Sequence, residues 1–389
     1  MESKGKLKIG ADSLYLYALI LFLCWRILFL VVNWYGSLMW AADKISRLSE
    51  LAVYFLLLLV YVKDFLKHPG IRHGLMIPVM LCMYLSYRNT RDNELIFMAA
   101  FVMLSYVVSF ERITRVYLYT GAICLATLIT ACLLGLVKEA RVYFSYGYSR
   151  SLGMAHPNNL AALVLNLLML WGYRNIRKKR HGLVAAVSVV AGLLVWEIAK
   201  SRTTFILMLG FGVLVLILRF MELSKTTRWL KILKLSTVGV LAITAVLTTY
   251  WYRFTGSILQ DENMAVRFRS GYELTKQYGL HLFGNRIEFI GVQKAWELGI
   301  PAVVLDTAYL NLPISHGIIP TILFFVLVVL LYRRLGKERN YALIMITTVF
   351  LVAGLMEKGV FMIMYDFALL AVFAGRKLYP GVKEKRALL

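Results

Sequence analysis

Residues 14–35 read LYLYALILFLCWRILFLVVNWY, an apolar run broken by one charge, Arg26. A helix rises about 1.5 Å per residue, so such a run spans the roughly 30 Å hydrocarbon core of a bilayer. It is too long and too poorly flanked for a cleaved signal peptide and reads as a retained anchor. Comparable blocks follow at 48–62, 74–87, 94–109, 116–137, 158–173, 182–198, 204–220, 232–251, 308–331, 341–356 and 359–375. The expected fold is therefore all-α, a polytopic bundle of about twelve transmembrane helices. The block at 74–87 carries Pro78, and the last two blocks are joined only by Glu357 and Lys358.

The composition agrees. Apolar residues make up 60% of the 389 positions, charged residues 17%, and mean hydropathy is +0.69. A soluble globular chain is nearer half apolar and a quarter charged. Cys24, Cys82, Cys124 and Cys132 all fall in apolar blocks without ligand spacing, so they read as small buried hydrophobes and not as a metal site. With no repeat of fixed period and no low-complexity tract, residues 1–389 read as one membrane domain interrupted by a polar insertion at 252–307.

Charge orients the bundle. If the amino terminus, with Lys4, Lys6 and Lys8, is cytoplasmic, most of the 44 Lys and Arg residues fall on that side. They include Arg174 to Arg180, Lys225 to Lys234, Arg333 to Arg339 and the tail from Arg376. The positive-inside rule then predicts both termini inside and the 252–307 loop extracytoplasmic. The +23 net charge does not require nucleic acid. Its basic runs are short linkers between spans, where attraction to anionic lipid accounts for them.

Function is then expected on the outer side, where three segments stand apart. The loop at 138–157 ends in Arg150-Ser-Leu-Gly153 and His156-Pro157-Asn158, and the turn at 199–204 carries Ser201-Arg202. The 252–307 loop holds Arg253, Arg267, Arg269, Arg286 and Asp306 among aromatics, glycines and an apolar stretch, a composition that favours a folded cap. Residues 265–280 suit a short amphipathic helix lying on the membrane. Tyr143, Tyr146, Tyr148, Tyr250, Trp251, Tyr252 and Trp296 read first as an interfacial belt and second as surfaces for sugar rings.

These elements together resemble the bacterial O-antigen polymerase and O-antigen ligase superfamily, most closely the polymerases of capsule and exopolysaccharide pathways. The resemblance rests on Arg150-x-x-Gly153 with His156-Pro157-Asn158, on Ser201-Arg202, and on Arg267 or Arg269 leading to Leu282-Phe283-Gly284. Its last element is Asp306 before Tyr309-Leu310 and Gly317-Ile318. It covers about 145–375.

The resemblance implies a glycosyltransferase that needs no metal or other cofactor, in the bacterial cytoplasmic (inner) membrane. It would join oligosaccharide units carried on undecaprenyl diphosphate at the outer face, alongside the flippase and chain-length regulator of the same pathway. Arg202 and Arg267, with Arg269 as rival and Arg150 in support, would bind the diphosphate. Asp306 stands where the ligase branch has a catalytic His, so a base is expected there or at His156. Arginine forks suit phosphate oxygens, and a carboxylate or neutral imidazole suits the acceptor hydroxyl.

Each residue also has a structural reading. Arg202 suits a snorkelling helix end, Arg267 and Arg269 solvated loop charges, and Arg150 a headgroup contact. His156-Pro157 suits a helix start, and Asp306 a cap for the helix after it. The chain has no GxxxxGK[ST] or GxGxxG phosphate loop, no HExxH and no Asp-x-Asp metal signature. Two other functions share these features: ligase-type glycan transfer, and flipping of a lipid-linked oligosaccharide. A transporter is expected to show repeated halves and polar residues near the midplane, and neither is evident.

Overall fold

The computed structural model describes residues 10–30, 32, 34–144, 147–220, 239, 241–244, 262–291, 295, 298–300 and 302–375. These residues are mainly helical. In chain order they form α1 (Ala11–Trp25), α2 (Gly36–Lys67), α3 (Ile71–Thr90), α4 (Glu94–Leu104) and α5 (Phe110–Leu133). A hairpin of β1 (Arg141–Phe144) and β2 (Gly147–Arg150) leads to α6 (Pro157–Ile176), α7 (His181–Ala199) and α8 (Arg202–Phe220). After α9 (Glu262–Tyr278) come α10 (Ile318–Lys337) and α11 (Tyr341–Ala353).

Six segments are long and apolar enough to cross a membrane: Ala11–Leu30, Leu38–Lys67, Phe110–Leu133, His181–Ala199, Arg202–Arg219 and Ile318–Lys337. Most other predicted spans are helical too, but shorter or more polar. Helix α3 runs through Pro78, α4 ends in a 3-10 turn at Ser105–Val107, and α6 carries Asn166 and Asn175 within it. Protein covers most of α6, from Leu160 to Ile176, so its asparagines face neighbours and not lipid. The span expected at 232–251 lies outside the described residues, apart from Gly239 and positions 241–244.

Two expected spans take another form. The block at 308–331 breaks at Gly317, whose φ of 102° no ordinary helix permits, and the regular helix runs from Ile318 to Lys337. The block at 359–375 is not a regular helix. It folds as 3-10 turns at Lys358–Phe361 and Phe367–Ala371, with Phe361, Phe367, Leu370 and Ala371 buried.

Non-helical backbone within a membrane bundle needs polar partners from the protein itself. Here Asn166 supplies them. Its Nδ2 donates to the Met364 carbonyl (3.1 Å) and to the Tyr117 hydroxyl (2.7 Å), and its Oδ1 accepts from the Phe367 amide (3.2 Å). The Tyr117 hydroxyl lies 2.8 Å from the carbonyls of both Ile363 and Met364. Asp366 accepts from the Ala368 amide, and Arg334 donates to the carbonyls of Val372 (3.0 Å) and Ala374 (2.5 Å). Periodicity alone could not show this, because every residue that redirects 359–375 belongs to another element or is a single side chain within an apolar block.

Side-chain contacts sort the helix ends into two groups. At one end Arg112 pairs with Asp12 (2.5 Å) and Asn340 donates to the Tyr173 hydroxyl (3.1 Å). There the Asp64 Oδ2 gathers His73 (3.0 Å), Tyr106 (2.6 Å) and Arg72 (3.3 Å). At the opposite end lie the hairpin, the starts of α4, α6, α8 and α10, and the end of α11. Cys24 and Cys124 bring their sulfurs to 3.5 Å between α1 and α5, and all four cysteines are free.

Replacing Asn166 with Leu strands the Phe367 amide in an apolar interior and leaves the Met364 carbonyl and the Tyr117 hydroxyl each one partner short. We expect stability to fall by about 2–3 kcal/mol, read as a lower midpoint in a detergent-unfolding titration. An unchanged midpoint would mean that the amide does not hold the 362–368 backbone.

Candidate functional site

The hairpin and α6 position the first candidates. The segment expected to be a loop is an antiparallel ladder that pairs Arg141 with Arg150 and Val142 with Ser149. The Ser149 hydroxyl donates to the Ala199 carbonyl (2.6 Å), docking the hairpin on the α7–α8 turn that ends at Arg202. Gly153 explains its place in the motif. Its φ is +96°, and a Cβ there would meet Leu128 and Cys132 of α5 at 3.1–3.2 Å. Arg150 is engaged, because its Nε lies 2.8 Å from Glu139, which also binds Arg141 (2.9 Å). Burial opposes ionisation of Glu139, but the hydrogen bonds from the two arginines outweigh it and hold its pKa below the usual range.

His156 is the N-cap of α6, with Pro157 in the first turn, as the structural reading of this motif required. Its Nδ1 accepts from the Asn158 amide (3.1 Å). That bond uses the Nδ1 lone pair, so the neutral ring carries its proton on Nε2 and presents a donor there. Desolvation lowers the His156 pKa. The charge of Asp306 opposes that shift, and the charge of Lys358 adds to it. Residues far apart in sequence, His156 and Asp306, thus come within electrostatic reach of each other.

Asp306 is half-buried and does not cap the helical turn that follows. Thr307 occupies that cap, its hydroxyl donating to the Gly354 carbonyl (3.1 Å) and fixing the turn to the end of α11. The chain then runs through a short helical turn and a π turn to His316. The loop at 281–285 docks on this stretch. The Ile318 amide donates to the His281 carbonyl (3.0 Å), and the Asn285 amide to the Ser315 carbonyl (2.9 Å). Gly284 (φ +81°) and Gly317 meet backbone to backbone; a Cβ on Gly284 would strike the Ser315 carbonyl, and one on Gly317 the Gly284 amide. Two motif elements separated in sequence, Phe283-Gly284 and Gly317-Ile318, are therefore halves of one contact.

That contact seats His316, which is buried, with Nε2 3.8 Å from Asp92 and its carbonyl accepting from Ser86 (2.8 Å). Asp92 also accepts from the Glu94 amide at the start of α4 (2.9 Å). Glu94 pairs with the buried Arg26 (2.9 Å), whose guanidinium lies over the Trp25 ring (4.6 Å) and near Asn93 (3.2 Å). Arg26, the lone charge of the first span, is thus compensated within the protein.

The remaining candidates are more peripheral. Arg202 is exposed at the first position of α8. Arg269 is exposed on α9 and paired with Glu273 one turn on (2.8 Å). The expected amphipathic helix forms over Glu262–Tyr278, packing Leu274 with Leu305, Leu310 and Ile314. The Arg267 side chain lies outside the described residues, as do Tyr146, Tyr250, Trp251, Tyr252, Arg253 and Trp296.

Sequence reasoning missed Asp92, His316 and Lys358. Asp92 carried no signal beyond a polar residue between two spans, whereas His316 stood inside the expected 308–331 block, immediately before Gly317-Ile318. Lys358 did carry one, as a charge in the two-residue link between the last apolar blocks. Among the described residues no group of His, Cys, Asp or Glu is placed to hold a metal ion. Comparison with protein-family profiles, curated proteins and solved structures finds no match for this chain.

Asp306→Asn removes the charge that raises the His156 pKa, so the His156 midpoint should move further down, measured by histidine-selective NMR titration. A midpoint that does not move would separate the two residues.

Proposed function

We propose that this chain is a polysaccharide polymerase that lengthens a glycan on undecaprenyl diphosphate at the outer face of the bacterial cytoplasmic membrane. In this reading it crosses the bilayer about twelve times with both termini inside. The end that carries His156 and Asp306 faces outward. One observation carries the proposal: His156, Asp306 and the Phe283-Gly284/Gly317-Ile318 contact lie at one end of the bundle, the end that the positive-inside rule turns outward. The motif resemblance supplies the reaction class.

The reaction is a displacement at an anomeric carbon. The acceptor hydroxyl oxygen forms the new bond to that carbon as the bond to the diphosphate oxygen breaks. The electron pair leaves with the lipid diphosphate, and the hydroxyl proton passes to a base. Asp306 is the better base, because His156 spends its Nδ1 lone pair on the α6 cap. The Nε2–H of His156 can then orient the acceptor oxygen or stabilise a departing phosphate oxygen. Arg202 and Arg267, with Arg269 as rival, serve the diphosphate, where positioned donors lower the barrier by a few kcal/mol each.

The test is reconstitution of the full chain with lipid-linked repeat unit, followed by gel analysis of the glycan. Wild type should give a ladder. Arg202→Ala and Arg267→Ala should each slow its growth roughly a hundredfold, and His156→Asn, which keeps a capping side chain, should slow it without loss of stability. Movement of substrate between leaflets without lengthening would favour a flippase. Transfer of one finished glycan to a different acceptor would favour a ligase.

A further inference from the structure

We propose that Lys358 binds the diphosphate of the lipid-linked substrate and is a phosphate-contacting residue of the outer site. This rests on the polymerase reading above.

Lys358 is the first residue of the 3-10 turn that follows α11, and its backbone is held in place. The Met362 amide donates to the Gly359 carbonyl (2.9 Å), and the Asn166–Tyr117 clamp fixes the chain just beyond. The side chain is exposed, and its ammonium lies 5.7 Å from the centre of the Phe289 ring. The turn that it opens packs on the 308–311 turn just after Asp306 and on α4, and Phe361 at the end of that turn lies 5.4 Å from the His316 ring. The charge of Lys358 also reaches His156 at the start of α6.

Its state of pairing matters more. Arg26 is buried against Glu94 at 2.9 Å, and Arg150 is held by Glu139 at 2.8 Å. Arg269 is held by Glu273 at 2.8 Å, and Lys200 by Glu197 at 3.1 Å. Lys358 has no carboxylate within ion-pair distance among the described residues. An incoming diphosphate would have to compete with a carboxylate for each of those four cations, but it could take the Lys358 ammonium directly. Lysine is a compact point charge that binds phosphate oxygens without the fixed fork of arginine. That suits a leaving group whose charge and position change as the sugar bond breaks.

Anionic headgroups share this chemistry, so the experiment must separate the two sources. Native mass spectrometry of the full chain in detergent would be titrated with undecaprenyl diphosphate and, separately, with phosphatidylglycerol. We expect Lys358→Ala to weaken undecaprenyl diphosphate binding about tenfold and Lys358→Arg to stay within about threefold of wild type. Phosphatidylglycerol should be unaffected and the thermal midpoints equal. Wild-type affinity for undecaprenyl diphosphate in Lys358→Ala would overturn the proposal, as would parallel weakening for both lipids. Failure of the wild-type protein to bind undecaprenyl diphosphate would instead remove the polymerase reading on which the proposal stands.

Discussion

The Asn166 amide is the contact on which the last part of the fold depends. It projects from the middle of α6, a helix covered by protein along most of its length, and holds backbone that forms no regular helix. Without such a partner the 359–375 block would have one low-energy option in an apolar surrounding, a continuous helix. Tyr117 of α5 and Arg334 of α10 complete the satisfaction of its carbonyls. The compact path that results lets Lys358 and Phe361 reach the same end of the bundle as His316, whose ring lies 5.4 Å from that of Phe361.

The glycines of the site act similarly, by permitting backbone to meet backbone. Gly284 and Gly317 bring the cap loop onto the start of α10, and Gly153 lets the turn after the hairpin lie on α5. Each occupies positive φ; a Cβ would block the Gly284–Gly317 contact and would crowd Gly153 against Leu128 and Cys132. The motif glycines therefore do no chemistry. They set where the neighbouring His156 and His316 stand.

How much of this was legible in the sequence follows from what produces each signal. Long apolar runs set by contact with lipid, such as 182–198 and most of 14–35 and 116–137, translate into helices, because burial of the backbone leaves little alternative; the ends of the latter two, at Trp34 and Val137, pair in a β-bridge instead. The block at 359–375 looks the same to a hydropathy scan. Its form is decided by Asn166, nearly 200 positions earlier, which no local window contains. The hairpin at 141–150 was equally hidden, since its ladder depends on pairing across a short turn and not on hydrophobic alternation. In the site, His156 and Asp306 were found because they belong to the motifs that carried the resemblance. Asp92 and His316 were not, because their relation exists only after two distant turns dock.

The treatment of charge ties fold and site together. Where an ionic group is removed from solvent, the structure provides partners: Glu94 for Arg26 at the site end, and Arg72, Tyr106 and His73 for Asp64 at the other. An uncompensated buried charge would cost several kcal/mol, so such pairs are what allow these groups inside an apolar bundle at all. Lys358 escapes this constraint by lying at the surface of the bundle end, where water supports its charge until an anion arrives. In the polymerase reading proposed above, a site that takes and releases a charged lipid headgroup needs some cation held this way. A fully paired cation binds only as tightly as its existing partner allows, and a fully buried one would hold the product as firmly as the substrate. Lys358, at the exposed start of the clamped 3-10 segment, satisfies both conditions: its backbone is fixed from below, and its charge remains available from above.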